Sequence, residues 1–67
     1  MNLEALKSEM DRQKVSAAEL SRLSGVDKST ISRILNGVSG CSVSSAKRIA
    51  LALKLKPKMA STIFFEE

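Results

Sequence analysis

Between Ser16 and Gly37 the chain marks two helix starts and two helix stops with almost nothing separating them. Ser16-Ala-Ala-Glu19 is a capping box, in which the serine hydroxyl and the glutamate carboxylate can each bond the other's backbone N–H. Gly25 stands where the helix must stop in a left-handed conformation, which glycine adopts without steric cost. Asp27 is the cap of a second start, and Gly37 is the next stop. Two short helices, 17–24 and 28–36, must therefore meet across a tight turn, with Val26 plugging the space between them. That unit is a helix-turn-helix.

The flanking sequence is helical as well. Leu3, Leu6 and Met10 recur at helical spacing, so a first helix is expected over Leu3–Gln13 with Asn2 as its cap. Helix two should bury Leu20 and Leu23. After the loop Val38-Ser-Gly-Cys-Ser42, Ser42 caps a fourth helix whose apolar stripe is Val43, Ala46, Ile49, Ala50 and Leu53. Pro57 suits the first turn of a fifth helix, because its missing N–H would be unbonded there anyway. Met59 and Ile63 should face inward from it. The expected fold is all-α, a compact five-helix bundle forming a single helix-turn-helix domain over residues 1–67.

Composition narrows what such a bundle does. With 67 residues there is one small core to fill, and Cys41, the lone cysteine, can form no internal disulfide. Histidine is absent, so no zinc site is expected and no cofactor is implied. The chain also offers no paired carboxylates at a cleft, no Gly-rich phosphate loop and no nucleophile–base pair, which argues against an enzyme. No apolar run approaches the ~18 residues of a membrane span, and the first residues carry acids rather than a signal sequence, so a cytoplasmic protein is expected. The net charge of +4 is unevenly spread: from Lys28 to Phe65 there is no Asp or Glu, while Lys28, Arg33, Lys47, Arg48, Lys54, Lys56 and Lys58 are all basic. A stretch of one sign attracts polyanions.

Helix three gives that charge a direction. At about 100° per residue, Ile31, Ile34 and Leu35 share one side and must face the core. Lys28, Ser29, Ser32, Arg33 and Asn36 share the opposite side, with Thr30 on the flank. A solvated surface helix would ordinarily mix in Glu for i,i+4 pairs, and none is present. A major groove about 12 Å wide admits one helix whose entry-end side chains are short and polar. Arg33 can present a fork to guanine O6 and N7, Lys28 can reach a guanine acceptor or a phosphate, and a serine can serve either base of a pair. The starts of helices two and three, with their free N–H groups, suit phosphates.

These segments resemble the lambda-repressor-like, or Cro-type, helix-turn-helix proteins of phages and bacteria. The resemblance runs from Leu3 to about Phe64. Its strongest parts are Ser16-Ala-Ala-Glu-Leu20, Gly25-Val-Asp-Lys-Ser-Thr-Ile-Ser-Arg-Ile-Leu-Asn-Gly37 and Ser45-Ala-Lys-Arg-Ile-Ala-Leu-Ala-Leu53. The middle segment also resembles the Lac-repressor family, whose motif starts closer to the N-terminus. The resemblance implies a five-helix bundle on operator double-stranded DNA, usually as a two-fold dimer. By position, Lys28, Ser29, Ser32 and Arg33 would face base edges. Ser16, Ala17, Thr30, Asn36, Ser39 and Ser42 would approach phosphates. Three positions depart from the family pattern: Ala17 replaces a frequent glutamine, Asp27 a Ser or Thr cap, and Lys54 the glycine that ends the fourth helix.

Ile63-Phe64-Phe65 holds the only aromatics. Phe64 and Phe65 are the candidates for a homodimer or partner contact; Ile63 and Phe64 are expected to close the core, which makes Phe65 the better of the two. The implied function is a small repressor or Cro-like switch protein. The alternative is an antirepressor, a modulator of a partner repressor, or an antitoxin, which uses the same fold to bind a protein.

Overall fold

A computed structural model describes residues 1–38 and 40–65. It contains five α-helices: α1 (Leu3–Gln13), α2 (Ala17–Ser24), α3 (Lys28–Leu35), α4 (Val43–Ala52) and α5 (Pro57–Phe64). Among the described residues there is no strand.

Each start has a local cause. Asn2 accepts the Ala5 N–H at 3.0 Å, Ser16 the Glu19 N–H at 3.1 Å, Asp27 the Ser29 N–H at 3.1 Å and Ser42 the Ser45 N–H at 3.1 Å. Such a cap stabilises a helix by about 0.5–2 kcal/mol. The capping box at Ser16 is half formed, because the Glu19 carboxylate turns outward to Arg22 instead of reaching back. α5 has no side-chain cap and starts on Pro57, as its sequence predicts.

The stops are less uniform than the glycines alone announce. Gly25 and Gly37 have φ of 74° and 72°, but Lys14 and Lys54 adopt the same left-handed conformation at 57° and 55°. After Lys14, Gly37 and Lys54 the next residue donates back into the helix: Val15 to Met10 O, Val38 to Arg33 O and Leu55 to Ala50 O, at 2.9, 3.0 and 2.9 Å. These are Schellman closures. Lys54 therefore closes α4 in the left-handed conformation at the position where the resemblance expects a glycine.

The core is Leu6, Leu20, Ile31, Ile34, Ile49, Leu53 and Ile63, all fully buried, with Met10, Val26, Ala46 and Phe64 around them. α2 packs on both α3 and α4, and α1 on α5. Two polar ties hold the outer helices in register. The Asn2 N–H donates to Ile63 O at 2.6 Å, and Gln13 Nε2 donates to Leu53 O at 2.8 Å.

Three residues expected inside lie outside. Leu23 is 47% exposed, because α2 turns the stripe Ala17, Leu20, Ser21 and Ser24 inward and Leu23 falls beyond its edge. Small residues in that stripe let α3 and α4 approach closely. Val43 is 71% exposed: it stands in the first turn of α4, off the Ala46–Ile49–Leu53 line. Met59 is 42% exposed, since Ala60, Ile63 and Phe64 set the inward direction of α5.

Candidate nucleic-acid interface

The turn between α2 and α3 is tied at both ends of Val26. Its N–H is accepted by Ser24 Oγ at 3.1 Å, and its carbonyl accepts from Ser21 Oγ at 2.6 Å. The Val26 side chain is buried against the core, as the sequence implies. Gly25 needs its positive φ here more than it needs space, since an added Cβ would meet only an Arg48 guanidinium nitrogen, at 3.7 Å. That contact also places a cation of α4 over the turn, which helical periodicity within α4 alone did not reveal.

α3 is held down by Ile31 and Ile34, both buried, and by half-buried Leu35. The opposite side is open. Lys28, Ser29, Ser32, Arg33 and Asn36 are all exposed, and Thr30 is half-buried on the flank. The structure thus brings the base-facing candidates together on one continuous face. Their side chains are linked along the helix: Arg33 Nη2 lies 3.4 Å from Thr30 Oγ1, and Asn36 Nδ2 lies 3.4 Å from Ser32 Oγ. These are long hydrogen bonds that an approaching ligand can replace.

Asp27 at the entry of this face does more than cap. Its carboxylate accepts both the backbone N–H of Ser29, at 3.1 Å, and the Ser29 hydroxyl. The hydroxyl above all, then the Ser29 N–H, with the Thr30 N–H and Arg33 adding to them, holds the carboxyl below its ordinary range. The sequence signal for this clamp is Asp-x-Ser at a helix start, where a short carboxylate reaches two residues on.

The phosphate-facing candidates are more dispersed. Ser16 and Ser42 are exposed, but both hydroxyls are committed to capping, and Ser42 also donates to Ser45 Oγ at 3.0 Å. What they leave outward is the N–H groups of the first turns of α2 and α4. Ala17 is half-buried against the core, so only its backbone N–H can meet an anion. Ser39 lies outside the described residues.

On the α4–α5 side, Phe64 is only 9% exposed and belongs to the core, as expected, with its ring at the edge of the groove beside Phe65. Phe65 is 59% exposed, and its ring meets that of Phe64 edge-on at 6.5 Å. Beside it runs an apolar groove of about 230 Å³ lined by Val43, Lys47, Ala50 and Phe65. Cys41 is half-buried against the core, and burial pushes its thiol pKa up. No group of three metal-ligating side chains is present among the described residues, and no described helix is long and apolar enough to cross a membrane.

A family model described as helix-turn-helix matches residues 6–58, which takes in α2, α3 and α4 whole. No curated protein and no solved structure matches the chain. The match, the two helices joined at Gly25 and the exposed polar side of α3 lead to one statement: the chain belongs to the lambda-repressor-like, Cro-type helix-turn-helix family of DNA-binding transcription regulators.

Proposed function

We propose that this regulator is a repressor or Cro-like switch protein, of phage or mobile-element type, that places α3 in the major groove of an operator in the cytoplasm. The supporting observation is the single exposed face shared by Lys28, Ser29, Ser32 and Arg33, with no acid following it as far as Phe65. In this reading those four meet base edges, with the Arg33 fork on guanine O6 and N7. The first-turn N–H groups at Ser16–Ala17 and at Ser42, together with Thr30 and Asn36, meet phosphates, a role that the sequence position of Ser39 also suggests. Phe65 anchors a two-fold homodimer, which would set two recognition helices about 34 Å apart on one side of the duplex.

A second reading draws on the groove beside Phe65: an antirepressor, modulator or antitoxin that seats a partner protein there. Selection of bound duplexes from a random pool at low salt separates the two. The first reading expects one enriched sequence, whose affinity falls with log salt at a slope of about −0.9 per phosphate contacted. No enrichment, with a partner repressor co-purifying, would overturn it in favour of the second.

A further inference from the structure

We infer that Ser29 is a specificity residue for a hydrogen-bond donor on the DNA, the exocyclic amino group of adenine or cytosine, because Asp27 takes its only proton. The inference rests on the DNA-binding reading above. A serine hydroxyl has one proton and two lone pairs, and when free it serves donors and acceptors alike. Here the proton is directed into the Asp27 carboxylate, which also holds the Ser29 backbone N–H. A hydrogen bond to an ionised acceptor is about twice as strong as a neutral one. Rotating the hydroxyl toward a base carbonyl or N7 would exchange the stronger bond for the weaker. What Ser29 offers outward is therefore its lone pairs, with a negative charge behind them.

The second serine of the face is set the opposite way. Ser32 Oγ accepts from Asn36 Nδ2, so its proton stays free to donate. Lys28 and Arg33 can only donate. Among the four base-facing candidates Lys28 and Arg33 donate and Ser32 keeps its proton free, so Ser29 is the one whose proton is already committed. In the major groove the donors that answer it are adenine N6–H and cytosine N4–H, while guanine O6, thymine O4 and purine N7 would meet lone pair with lone pair. The acid at position 27, which otherwise repels the backbone, makes Ser29 an acceptor at the entry end of the α3 face.

The test is made on the duplex that wild-type protein selects. Ser29→Ala identifies the base pair whose preference depends on Ser29. At that pair the amino group is deleted chemically, with purine in place of adenine or 2-pyrimidinone in place of cytosine. Wild type should lose about fivefold in affinity, the worth of one ordinary hydrogen bond, and Ser29→Ala should lose nothing. A 7-deaza purine at the same pair should affect both proteins equally. Asp27→Ser keeps a helix cap but frees the Ser29 hydroxyl, so its penalty for amino deletion should shrink. The inference is overturned if amino deletion costs wild type and Ser29→Ala alike, if the Ser29-dependent loss follows an acceptor, or if no pair depends on Ser29. Enrichment of no duplex by any of the three proteins would overturn the DNA-binding reading itself, a different and recognisable result.

Discussion

The Ser21 hydroxyl donates to the Val26 carbonyl at 2.6 Å, so α2 itself holds the turn that aims α3. Ser21 is half-buried and Val26 is buried, which leaves water poorly placed to take over if the donor is removed. Ser21→Ala should lower unfolding free energy by about 1–2 kcal/mol, the net bond plus part of the cost of an unpaired carbonyl. A shift in urea midpoint at unchanged slope is the expected signature.

Lys14 and Lys54 hold a conformation that a side chain opposes and glycine accepts. Lys54→Gly should therefore stabilise the protein by about 0.5–1 kcal/mol, part of the relief being returned as unfolded-chain entropy. In a domain of this size each kcal/mol moves Tm by about 4–8 °C, so thermal melting resolves the change. Gly25→Ala, at φ 74°, should move Tm the other way by a similar amount.

Two carboxylates are held below their ordinary pKa. Ser29 does this to Asp27, and Arg12 with Gln13 does it to Glu9. A carboxyl depressed in the folded state contributes stability above its unfolded pKa and loses that contribution as pH falls through the folded one. Urea midpoints should accordingly be flat near neutrality and decline below about pH 4. Asp27→Ser should make the decline shallower. Asp27 is exposed and Glu9 half-buried beside an exposed Arg12, so solvent screening should keep the acid slope gentle.

Arg33 carries the one rigid bidentate fork on the face. Arg33→Ala should cost about 1–3 kcal/mol against the preferred operator and far less against unrelated duplexes, measured by fluorescence anisotropy at fixed salt. Lys28, with a point charge on a flexible stem, should contribute more evenly across sequences.

The sequence carried the helix ends, because caps and left-handed stops are local chemistry: Asn2, Ser16, Asp27, Ser42 and Pro57 all start the helices expected of them. The polar face of α3 was legible for the same reason, since Ile31 and Ile34 fix the helix's rotation. Leu23, Val43 and Met59 were misread because a single-helix wheel cannot show where neighbouring helices stop covering it. Their exposure depends on how α2 packs on α3 and α4 and on how α5 packs on α1. Arg48 over Gly25 is likewise a tertiary contact with no sequence signal. The Asp27–Ser29 clamp has its signal in Asp-x-Ser at a helix start, but a cap accounts for only the backbone bond and not for the Ser29 hydroxyl that Asp27 also accepts.

Titration of the isotope-labelled protein with its selected operator, followed by amide chemical shifts, tests the central claim most directly. On a half-site duplex of that operator, which seats one protomer, the large shifts should fall on Ser16–Ala18, on Lys28–Arg33 and on Asn36, with Lys47, Ala50 and Phe65 unchanged. Shifts concentrated along the α4–α5 groove, with α3 unmoved, would contradict it.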